Sequence, residues 1–389
     1  MIKNLAYVYD NTYYRFQDQI FSTGSFNYKI WTRFFKGFDH ITIFGTIIDV
    51  QENDIANLNR LDGPRVSFKH LDKVNNLQKL IKYNFQKDKI FSDLRNYDAV
   101  VLRVPGIISM NAFIYCYKNK IPVGLEVVGC PFDAYWNYGS FKGKILAPFE
   151  YYKLKIITNK AKFIVYVTRD FLQKRYPTKG KTINVSNVDI IVPNEGILNN
   201  KMEKLKNQTL FTIGLCGSFD VGYKGHYELL KAISIIKKEI PPFRLEIIGP
   251  GDSKWVRDLA KNLGISDHLN IIGKLKSGKD VMNWQDSLDI YVHPSKQEGL
   301  PRSVIEAMSR ANPVLASSIA GVPELLNKEY LHKPGDFKKL AHHLKVFLNN
   351  REELFKMAQQ NYKESKNYDD LILQNKRESF WFDFSKQFS

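Results

Sequence analysis

The sequence has few of the features that mark secreted, membrane-spanning or zinc-binding proteins. Its three cysteines, Cys116, Cys130 and Cys216, are too widely spaced to indicate a disulfide framework or a zinc site. The most apolar stretch, residues 97–117, is interrupted by charged residues and a proline, so it does not indicate a membrane span. Asp10 lies where the apolar core of a signal peptide would continue. We therefore expect a protein of the cytoplasm, where cysteines stay reduced.

Several common nucleotide- and metal-binding motifs are also missing. No Gly-x-Gly-x-x-Gly pattern follows the first predicted strand, which argues against a dehydrogenase. The Lys-Gly-Lys-Thr run at 179–182 has the ending of a P-loop but lacks its upstream glycine. The sequence has no Asp-x-Asp pair of the kind found in metal-dependent, single-domain sugar transferases, and no aromatic-interleaved basic strand typical of nucleic-acid binders. We therefore expect neither a metal cofactor nor a nucleic-acid partner.

The strongest compositional feature is positive charge. Lys and Arg number 57 against 40 Asp and Glu, a net charge of 57 − 40 = +17. The excess is concentrated in residues 141–181, where eleven Lys and Arg accompany only Glu150 and Asp170. Such a segment suits an anionic membrane surface, but a chain rich in lysine throughout also produces a basic surface by composition alone. The sequence leaves both interpretations open.

Short apolar runs alternate with amphipathic helical stretches along the chain. Most runs are continuously apolar, which is typical of parallel strands buried on both faces. The alternation occurs twice, which predicts an α/β protein of two doubly wound, Rossmann-like domains. Asn, Pro and Gly cluster near the predicted boundary, which gives an N-terminal domain of residues 1–190 and a C-terminal domain of residues 191–369. The aromatic helix predicted at 370–389 is expected to dock on the first domain.

Two glutamates flank a Gly-Leu-Pro step where a predicted strand gives way to a helix. Glu298 lies in the loop, Pro301 suits the first turn of the helix, and Glu306 lies within the helix. Ligands of doubly wound sheets bind at the carboxyl ends of the strands, and a helix N-terminus preceded by Gly299 suits a phosphate. The pair predicts two acceptors for the hydroxyl groups of a phosphorylated polyol, although two solvated surface acids would give the same pattern.

A second candidate anion site follows an earlier strand of the same predicted domain. Gly217 lies at the end of that strand, and Lys224 and Gly225 open the next helix. A glycine-rich loop with a lysine at a helix start is typical of an anion site, although a lone Lys-Gly is usually a solvated helix start. Further glycine turns follow predicted strands at 247–253 and 271–281, and each could equally be an ordinary loop.

Taken together, these stretches resemble the retaining family-4 glycosyltransferases. The run EGLPRSVIEAM, in which seven residues separate Glu298 from Glu306, resembles the E-x7-E motif of that family, and NPVLASSIAGVPELL resembles the stretch that usually follows it. YKGHYELLKAI resembles the family's Lys-Gly helix. The resemblance is close over residues 209–330 and loose elsewhere. It implies the GT-B fold, in which two doubly wound domains face a cleft and a C-terminal helix crosses back to the first domain.

The resemblance implies a role for each candidate residue. Glu306 would hold the ribose hydroxyls of a nucleotide-sugar donor, Glu298 would lie beside the transferring sugar, and Lys224 would neutralise the departing diphosphate, the task a metal performs elsewhere. The other donor contacts would come from the turns after the strands and from the start of the glutamate-bearing helix: Gly24, Ser25, Gly217, Ser218, Gly249, Lys274, Leu275, Gly299, Leu300, Pro301, Arg302 and Ser303. No cofactor and no metal are implied beyond the donor itself.

The sequence departs from the family pattern at two places. The family commonly has an arginine after the glycine that precedes Lys-Gly, whereas Ser218 occupies that place here, and Arg302 or Lys276 could supply the charge. The family also often has a first-domain histidine near the reacting sugar, and none occurs in the matching stretch. Glu126, Asp133 or a backbone group could take that catalytic role, although Glu126 could equally bind the loop backbone and Asp133 could cap a helix.

The resemblance implies a retaining, metal-independent hexosyltransferase. It would move a sugar from a nucleotide sugar, a UDP-sugar by family frequency, to a glycan or lipid-linked glycan of a surface polysaccharide or glycolipid, such as capsule or lipopolysaccharide. A lipid-linked acceptor would bring the protein to the inner face of the membrane through residues 141–181, with Phe149, Tyr151 and Tyr152 either as interfacial anchors or packed on the sheet. Two alternatives stay open: a nucleotide-sugar epimerase or phosphorylase on the same fold, and a non-catalytic nucleotide-sugar-binding protein.

Overall fold

The chain divides into two compact units in the computed structural model. One unit comprises Met1–Ser186 with Leu373–Ser389, and the other comprises Asn187–Ile372. The sequence-based boundaries, 190/191 and 369/370, lie close to these divisions. The structure describes residues 3–23, 26–55, 58–72, 74, 86, 88–137 and 141–388.

A nine-stranded sheet forms the centre of the first unit, as far as its described residues go. Its strands are β1 (Asn4–Phe16), β2 (Gln19–Ser22), β3 (His40–Asp49), β4 (Asn59–Arg60), β5 (Val66–His70), β6 (Ala99–Val104), β7 (Val123–Val127), β8 (Phe163–Tyr166) and β9 (Lys181–Asn184). Seven strands run parallel in the order β5-β3-β1-β6-β7-β8-β9, and β2 and β4 form an antiparallel extension beside the far end of β1. The strand order reverses direction between β1 and β6, which defines a doubly wound sheet.

Helices accompany the strands of the first unit. Among the described residues they include α1 (Glu52–Ile55), α2 (Ile107–Lys118), α3 (Pro131–Asn137), α4 (Phe141–Lys160) and α5 (Phe171–Arg175). All six residues of β6 are buried, which explains why this strand is continuously apolar apart from Arg103. Asp10, at the middle of β1, accepts hydrogen bonds from the backbone nitrogens of Ile108 and Ser109 at 2.7 and 2.9 Å and so caps the N-terminus of α2.

The second unit contains six parallel strands among its described residues. They are β10 (Phe211–Cys216), β11 (Phe243–Ile248), β12 (Leu269–Gly273), β13 (Ile290–His293), β14 (Val314–Ser317) and β15 (Leu331–His332). Their order, β12-β11-β10-β13-β14-β15, is that of a doubly wound sheet whose direction reverses between β10 and β13. The predicted fold class, two doubly wound Rossmann-like domains, is therefore confirmed.

Seven helices lie within the second unit, and a last helix joins it to the first. The seven are α6 (Gly196–Asn207), α7 (His226–Ile236), α8 (Lys254–Asn262), α9 (Lys279–Ser287), α10 (Arg302–Ser309), α11 (Phe337–Leu348) and α12 (Arg351–Ser365), and the last is α13 (Asp370–Ser385). No described helix combines the length and the apolar composition that crossing a bilayer requires.

Helix α13 packs on the sheet of the first unit through its aromatic residues. The Trp381 ring lies 5.4 Å from the Phe34 ring, and the Phe384 ring lies 5.3 Å from the Phe163 ring, measured between centroids. Gly124 in β7 provides the space, because a Cβ atom there would lie 2.5 Å from a ring carbon of Trp381. The predicted docking of this helix on the first unit therefore rests on a few large buried side chains.

Replacing Trp381 by alanine is expected to lower the free energy of unfolding of the first unit by about 3–5 kcal/mol, because a fully buried indole leaves a cavity. Urea unfolding followed by circular dichroism measures the loss. The exposed Leu371 of the same helix is the matched control, and Leu371→Ala should change stability by less than about 0.5 kcal/mol. Equal effects of the two changes would show that α13 is not anchored by Trp381.

Candidate active site

The charged residues of the second unit converge where its sheet reverses direction. Lys224 follows β10 and Glu298 follows β13, and these two strands are direct neighbours. Lys224 Nζ lies 2.8 Å from Glu298 Oε1, with the two side chains 24% and 12% exposed. His293 Nε2, at the end of β13, lies 3.0 Å from the same oxygen. The crevice at such a reversal is where doubly wound sheets bind ligands.

The backbone around Lys224 explains how its side chain reaches Glu298. After β10 the chain forms a short 3-10 turn, Gly222–Lys224, and Gly225 then adopts a left-handed conformation with φ of 83°. A Cβ atom on Gly225 would lie 2.3 Å from the carbonyl oxygen of Pro294, so only glycine lets the two loops approach this closely. Lys296 N donates to the carbonyl oxygen of Tyr223 at 2.7 Å, which joins the loops directly.

Three glycine turns lie side by side at the carboxyl ends of β10, β11 and β12. A Cβ atom on Gly217 would lie 2.8 Å from Cβ of Lys224, and one on Gly249 would lie 1.9 Å from the carbonyl oxygen of Gly217. Gly249 N donates to the carbonyl oxygen of Gly273 at 2.9 Å. The glycines that the sequence singled out therefore pack together as one edge of backbone beside Lys224, in which Gly217 and Gly249 are buried and Gly273 is half-buried.

The ion pair sets the charge states of both partners. Burial alone would raise the pKa of Glu298, but the charge of Lys224 and then that of His293 outweigh it and lower the pKa to about 2. Burial would likewise lower the pKa of Lys224, and Glu298 raises it instead. Glu298 and Lys224 are therefore both ionised at neutral pH.

Glu306 lies in a different electrostatic environment from Glu298. It is partly buried on α10, and burial raises its pKa, with the charge of Arg302 one turn earlier as the opposing influence. The thiol of Cys216, at the end of β10, has its pKa raised to about 12 by burial first and by Glu306 second, with Glu298 also contributing. Both carboxylates therefore raise the pKa of the Cys216 thiol at the end of β10. Lys224 holds Glu298 as an anion, whereas Arg302 only partly offsets the effect of burial on Glu306.

Sequence reasoning assigned no role to Tyr291 and His293. The Tyr291 hydroxyl lies 3.5 Å from His293 Nδ1, so the imidazole has Tyr291 on one side and Glu298 on the other. Tyr291 is fully buried in β13. The only signal in the sequence was the position of a histidine as the last residue of a strand, five residues before Glu298.

The start of α10 differs in one detail from the prediction. The helix begins at Arg302, so Pro301 precedes its first turn rather than lying within it. Val304, Ile305 and Met308 form a buried apolar stripe, as expected for a helix that packs on the sheet. Leu300, at the same turn, is half-buried, and the carbonyl oxygen of Gly299 accepts a hydrogen bond from Gly321 N at 2.9 Å.

The remaining predicted contacts of this unit lie around the same edge. Ser303 interacts with the buried hydroxyl of Tyr291. The Ser218 hydroxyl interacts with Asp220 at 3.4 Å and with the carbonyl oxygen of Pro250 at 3.3 Å.

Three of the predicted basic and apolar side chains follow β12 in the loop after Gly273. Lys274 and Lys276 are exposed there, and Leu275 is half-buried. Arg302 is also exposed, at the start of α10, one turn before Glu306. The diphosphate role considered for Arg302 or Lys276 stays a prediction.

Comparison with known proteins identifies the family. Residues 199–364 match the sequence model of the glycosyl transferases group 1. The chain is 36% identical to Protein CapJ of Staphylococcus aureus over 346 residues, which cover 87% of this chain and 84% of CapJ. This chain belongs to the group 1 glycosyltransferases.

More distant relatives extend the comparison. The capsular polysaccharide biosynthesis glycosyltransferase CapM of Staphylococcus aureus is 27% identical over 157 residues, 39% of this chain and 41% of CapM. The crystal structure of Anabaena Alr3699/HepE in complex with UDP matches 96% of this chain and 98% of that chain, with a TM-score of 0.67 at 13% identity. The group 1 glycosyltransferase described here therefore has the two-domain GT-B fold.

Glu126, a candidate catalytic residue of the first unit, is enclosed by cationic and polar partners. Arg33 Nη1 donates to its Oε1 at 3.2 Å, and Arg103 Nη1 and the Tyr7 hydroxyl donate to its Oε2 at 3.1 and 2.8 Å. Its side chain is 3% exposed. Burial would raise its pKa, but Arg33 and Arg103 lower it, so Glu126 is a buried anion. Side chains rather than loop backbone therefore bind this carboxylate, and its catalytic role in this glycosyltransferase stays a prediction.

Asp133 and the first predicted loop complete the candidates. Asp133, in α3, accepts two hydrogen bonds from Arg175 at 3.1 and 3.2 Å, so it pairs with a neighbouring helix and does not cap one. This pairing orients the carboxylate but does not test the catalytic role, which stays a prediction. Gly24 and Ser25 lie outside the described residues.

The low pKa of Glu298 predicts how stability depends on pH. Its pKa falls from 4.5 to about 2 on folding, so the pair stabilises the protein by about 3 kcal/mol above pH 4.5, and this contribution is lost as the pH falls from 4.5 toward 2. Glu298→Gln should therefore be less stable than wild type at pH 7, and the difference should shrink by about 1.4 kcal/mol per pH unit below 4.5.

Urea unfolding at pH 7, 5, 4 and 3.5 measures this difference. Glu203→Gln, on the exposed face of α6, is the matched control and should follow wild type at every pH. A difference between Glu298→Gln and wild type that stays constant down to pH 3.5 would contradict a salt-bridged, low-pKa Glu298.

Proposed function

We propose that this protein is a retaining glycosyltransferase that moves a sugar from a nucleotide-sugar donor to a glycan or lipid-linked glycan during the synthesis of a capsule or another surface polysaccharide. The ion pair of Lys224 and Glu298 at the reversal point of the second sheet, with Glu306 on the helix that follows, is the observation that carries the proposal. Family membership supports the transfer reaction, and the name of CapM supports the pathway.

In this proposal Lys224 binds the donor diphosphate. An ammonium group has three N–H donors, and Glu298 Oε1 accepts from Lys224 at 2.8 Å, so further donor positions of the same nitrogen can reach phosphate oxygens. Gly217 and Gly249 carry no side chain, so they add no bulk beside Lys224 where an anion would bind. Negative charge develops on the diphosphate as the glycosidic bond breaks, and a preorganised cation stabilises that charge. Lys224 would thereby perform the task of a metal ion, and the chemistry would need none.

The two glutamates would then have separate tasks. Glu298, ionised and fixed between Lys224 and His293, would lie beside the donor sugar and accept hydrogen bonds from its hydroxyl groups. Glu306, on the first turns of α10, would accept hydrogen bonds from the ribose hydroxyls. Since HepE was crystallised with UDP on the same fold, a UDP-sugar is the donor that we test first.

A lipid-linked acceptor would be presented at a membrane surface. The protein would therefore act at the inner face of the cell membrane, with part of its first unit in contact with lipid. Residues 141–181 are the segment predicted for this contact. Asp133, beside Arg175, remains the candidate for acceptor-side chemistry in place of the usual histidine.

Donor binding is expected to depend on Glu306. A thermal-shift panel of UDP-, GDP- and ADP-sugars on the wild-type protein identifies the best donor, because stabilisation follows affinity. Glu306→Ala should lower the affinity for that donor by about tenfold to a hundredfold, since two hydroxyl groups lose a carboxylate acceptor. Glu203→Ala, an exposed glutamate on α6, is the control and should respond as wild type does. An undiminished response of Glu306→Ala would contradict the ribose role.

Sugar transfer is expected to depend on Lys224. With a lipid-linked acceptor and the best donor, Lys224→Met should lower kcat by about 10²–10³, the usual loss when a preorganised transition-state charge is removed. Lys338→Met, which changes an exposed lysine of α11, should leave the rate unchanged. Nuclear magnetic resonance of the product reports whether the anomeric configuration is retained.

Two outcomes would favour the rival functions. Conversion of the donor in the absence of any acceptor would identify an epimerase or phosphorylase. Donor binding without turnover, with every acceptor class tried, would favour a non-catalytic nucleotide-sugar-binding protein.

A further inference from the structure

Helix α4 of the first unit has apolar residues on two opposite faces. One face, which includes Leu154 and Ile157, is buried in the unit. The other face carries side chains that are 50–78% exposed: Phe141, Ile145, Phe149, Tyr152 and Ile156. At 100° per residue these five lie within an arc of about 80° that runs along roughly 22 Å of helix. We call them the exposed arc.

The exposed arc belongs to a larger apolar surface. A groove of about 680 Å³ runs between α2 and α4, lined by apolar side chains that include Phe113, Ile114, Tyr117 and Phe149. Ten large hydrophobic residues are exposed among the described residues of the first unit, and nine of them lie between Ile114 and Ile156. Scattered exposed hydrophobic residues are ordinary, whereas a contiguous patch marks an interaction site.

Lysines border the exposed arc on both sides. On the helical wheel, Lys142, Lys153 and Lys160 lie on one side of it and Lys144 and Lys155 on the other. Glu150 is the one acidic residue of the helix, and it is half-buried beside the face that packs on the unit. An apolar stripe between two rows of lysines is the composition of a helix that lies flat in the interface of an anionic membrane.

Several cations of the basic segment that lie outside this helix have acidic partners. Lys174 pairs with Asp170, Arg175 with Asp133 and Lys181 with Asp383, so these cations are neutralised within the protein. Tyr151, one of the predicted anchors, points inward and packs on Tyr176 with ring centroids 5.4 Å apart. Phe149 and Tyr152, the other predicted anchors, lie in the exposed arc.

We infer that the exposed arc of α4, with its lysine borders and the adjoining groove, binds the surface of an anionic lipid bilayer. A second copy of the chain is a poorer partner, because a symmetric contact through this face would place lysines against lysines. An anionic lipid surface neutralises the lysines and buries the arc together. This inference rests on the membrane contact of the proposed function and deepens it, and its evidence comes from α4 and α2 of the first unit rather than from the transfer reaction.

Flotation of the full chain with vesicles tests the inference. The wild-type protein should float with vesicles of phosphatidylcholine and phosphatidylglycerol, bind much less to phosphatidylcholine alone, and dissociate in about 0.5 M salt. Phe149→Gln with Tyr152→Gln should weaken partitioning by about tenfold or more. Lys142→Glu with Lys144→Glu and Lys155→Glu should weaken it by at least about 100-fold.

Control variants on the second unit distinguish binding through α4 from non-specific binding by exposed apolar residues or by net positive charge. Tyr227→Gln with Ile235→Gln removes two exposed apolar residues of α7, and Lys238→Glu with Lys338→Glu reverses two exposed lysines. Both controls should float nearly as wild type does. Donor-induced thermal shifts should be unchanged in the α4 variants, which shows that they fold and that the donor site is separate.

Three results would overturn the inference. They are wild-type protein that does not float with anionic vesicles, α4 variants that float as well as wild type does, and a dimer in sedimentation equilibrium that the Phe149 and Tyr152 changes convert to monomer.

Discussion

The arrangement of the second unit depends on the ion pair between Lys224 and Glu298. Each charge is mostly removed from water, so each would be costly to ionise without the other. The pair forms because β10 and β13 are neighbouring strands. It also requires Gly225, which lets the loop after β10 pack directly against Pro294 in the loop after β13. The sheet order, the left-handed glycine and the two charges are therefore one constraint, and the glycine turns at Gly217 and Gly249 lie beside it.

Buried carboxylates serve different purposes in the two units, and their surroundings decide which. Glu126 is enclosed by Arg33, Arg103 and Tyr7 with almost no exposure, and such a group holds elements together. Glu298 is also paired, but its lysine partner keeps a quarter of its side chain exposed at the edge of the sheet. A cation that retains access to solvent can still bind an incoming anion, whereas one that is fully enclosed cannot. The clusters around Glu126 and Glu298 therefore differ in the solvent exposure of the cation that pairs with the carboxylate, and not in whether such a pair is present.

In the first unit, the two faces of helix α4 have different surroundings. One face of α4 completes the core through Leu154 and Ile157, and the opposite face leaves Phe149 and Tyr152 exposed between lysines. Helix α13 illustrates the alternative, because its large aromatic residues are covered by the sheet at Gly124 and by Phe34 of a 3-10 segment. Apolar residues that the fold covers stabilise it, and those that it leaves uncovered with a basic border are available to a partner. A transferase acting on a lipid-linked acceptor would use such a surface.

The sequence by itself determined the features that depend on local pattern. Continuous apolar runs indicated buried parallel strands, and glycine turns after them marked the binding edge, because periodicity and backbone freedom are local properties. The family motif singled out Lys224, Glu298 and Glu306. The tertiary structure alone decided the contacts: that Lys224 meets Glu298 across 74 residues, that His293 holds the same carboxylate, that Glu126 is enclosed, and that Tyr151 points inward. These contacts follow from which strands become neighbours, and β10 pairs with β13 rather than β12, an order that no local pattern encodes.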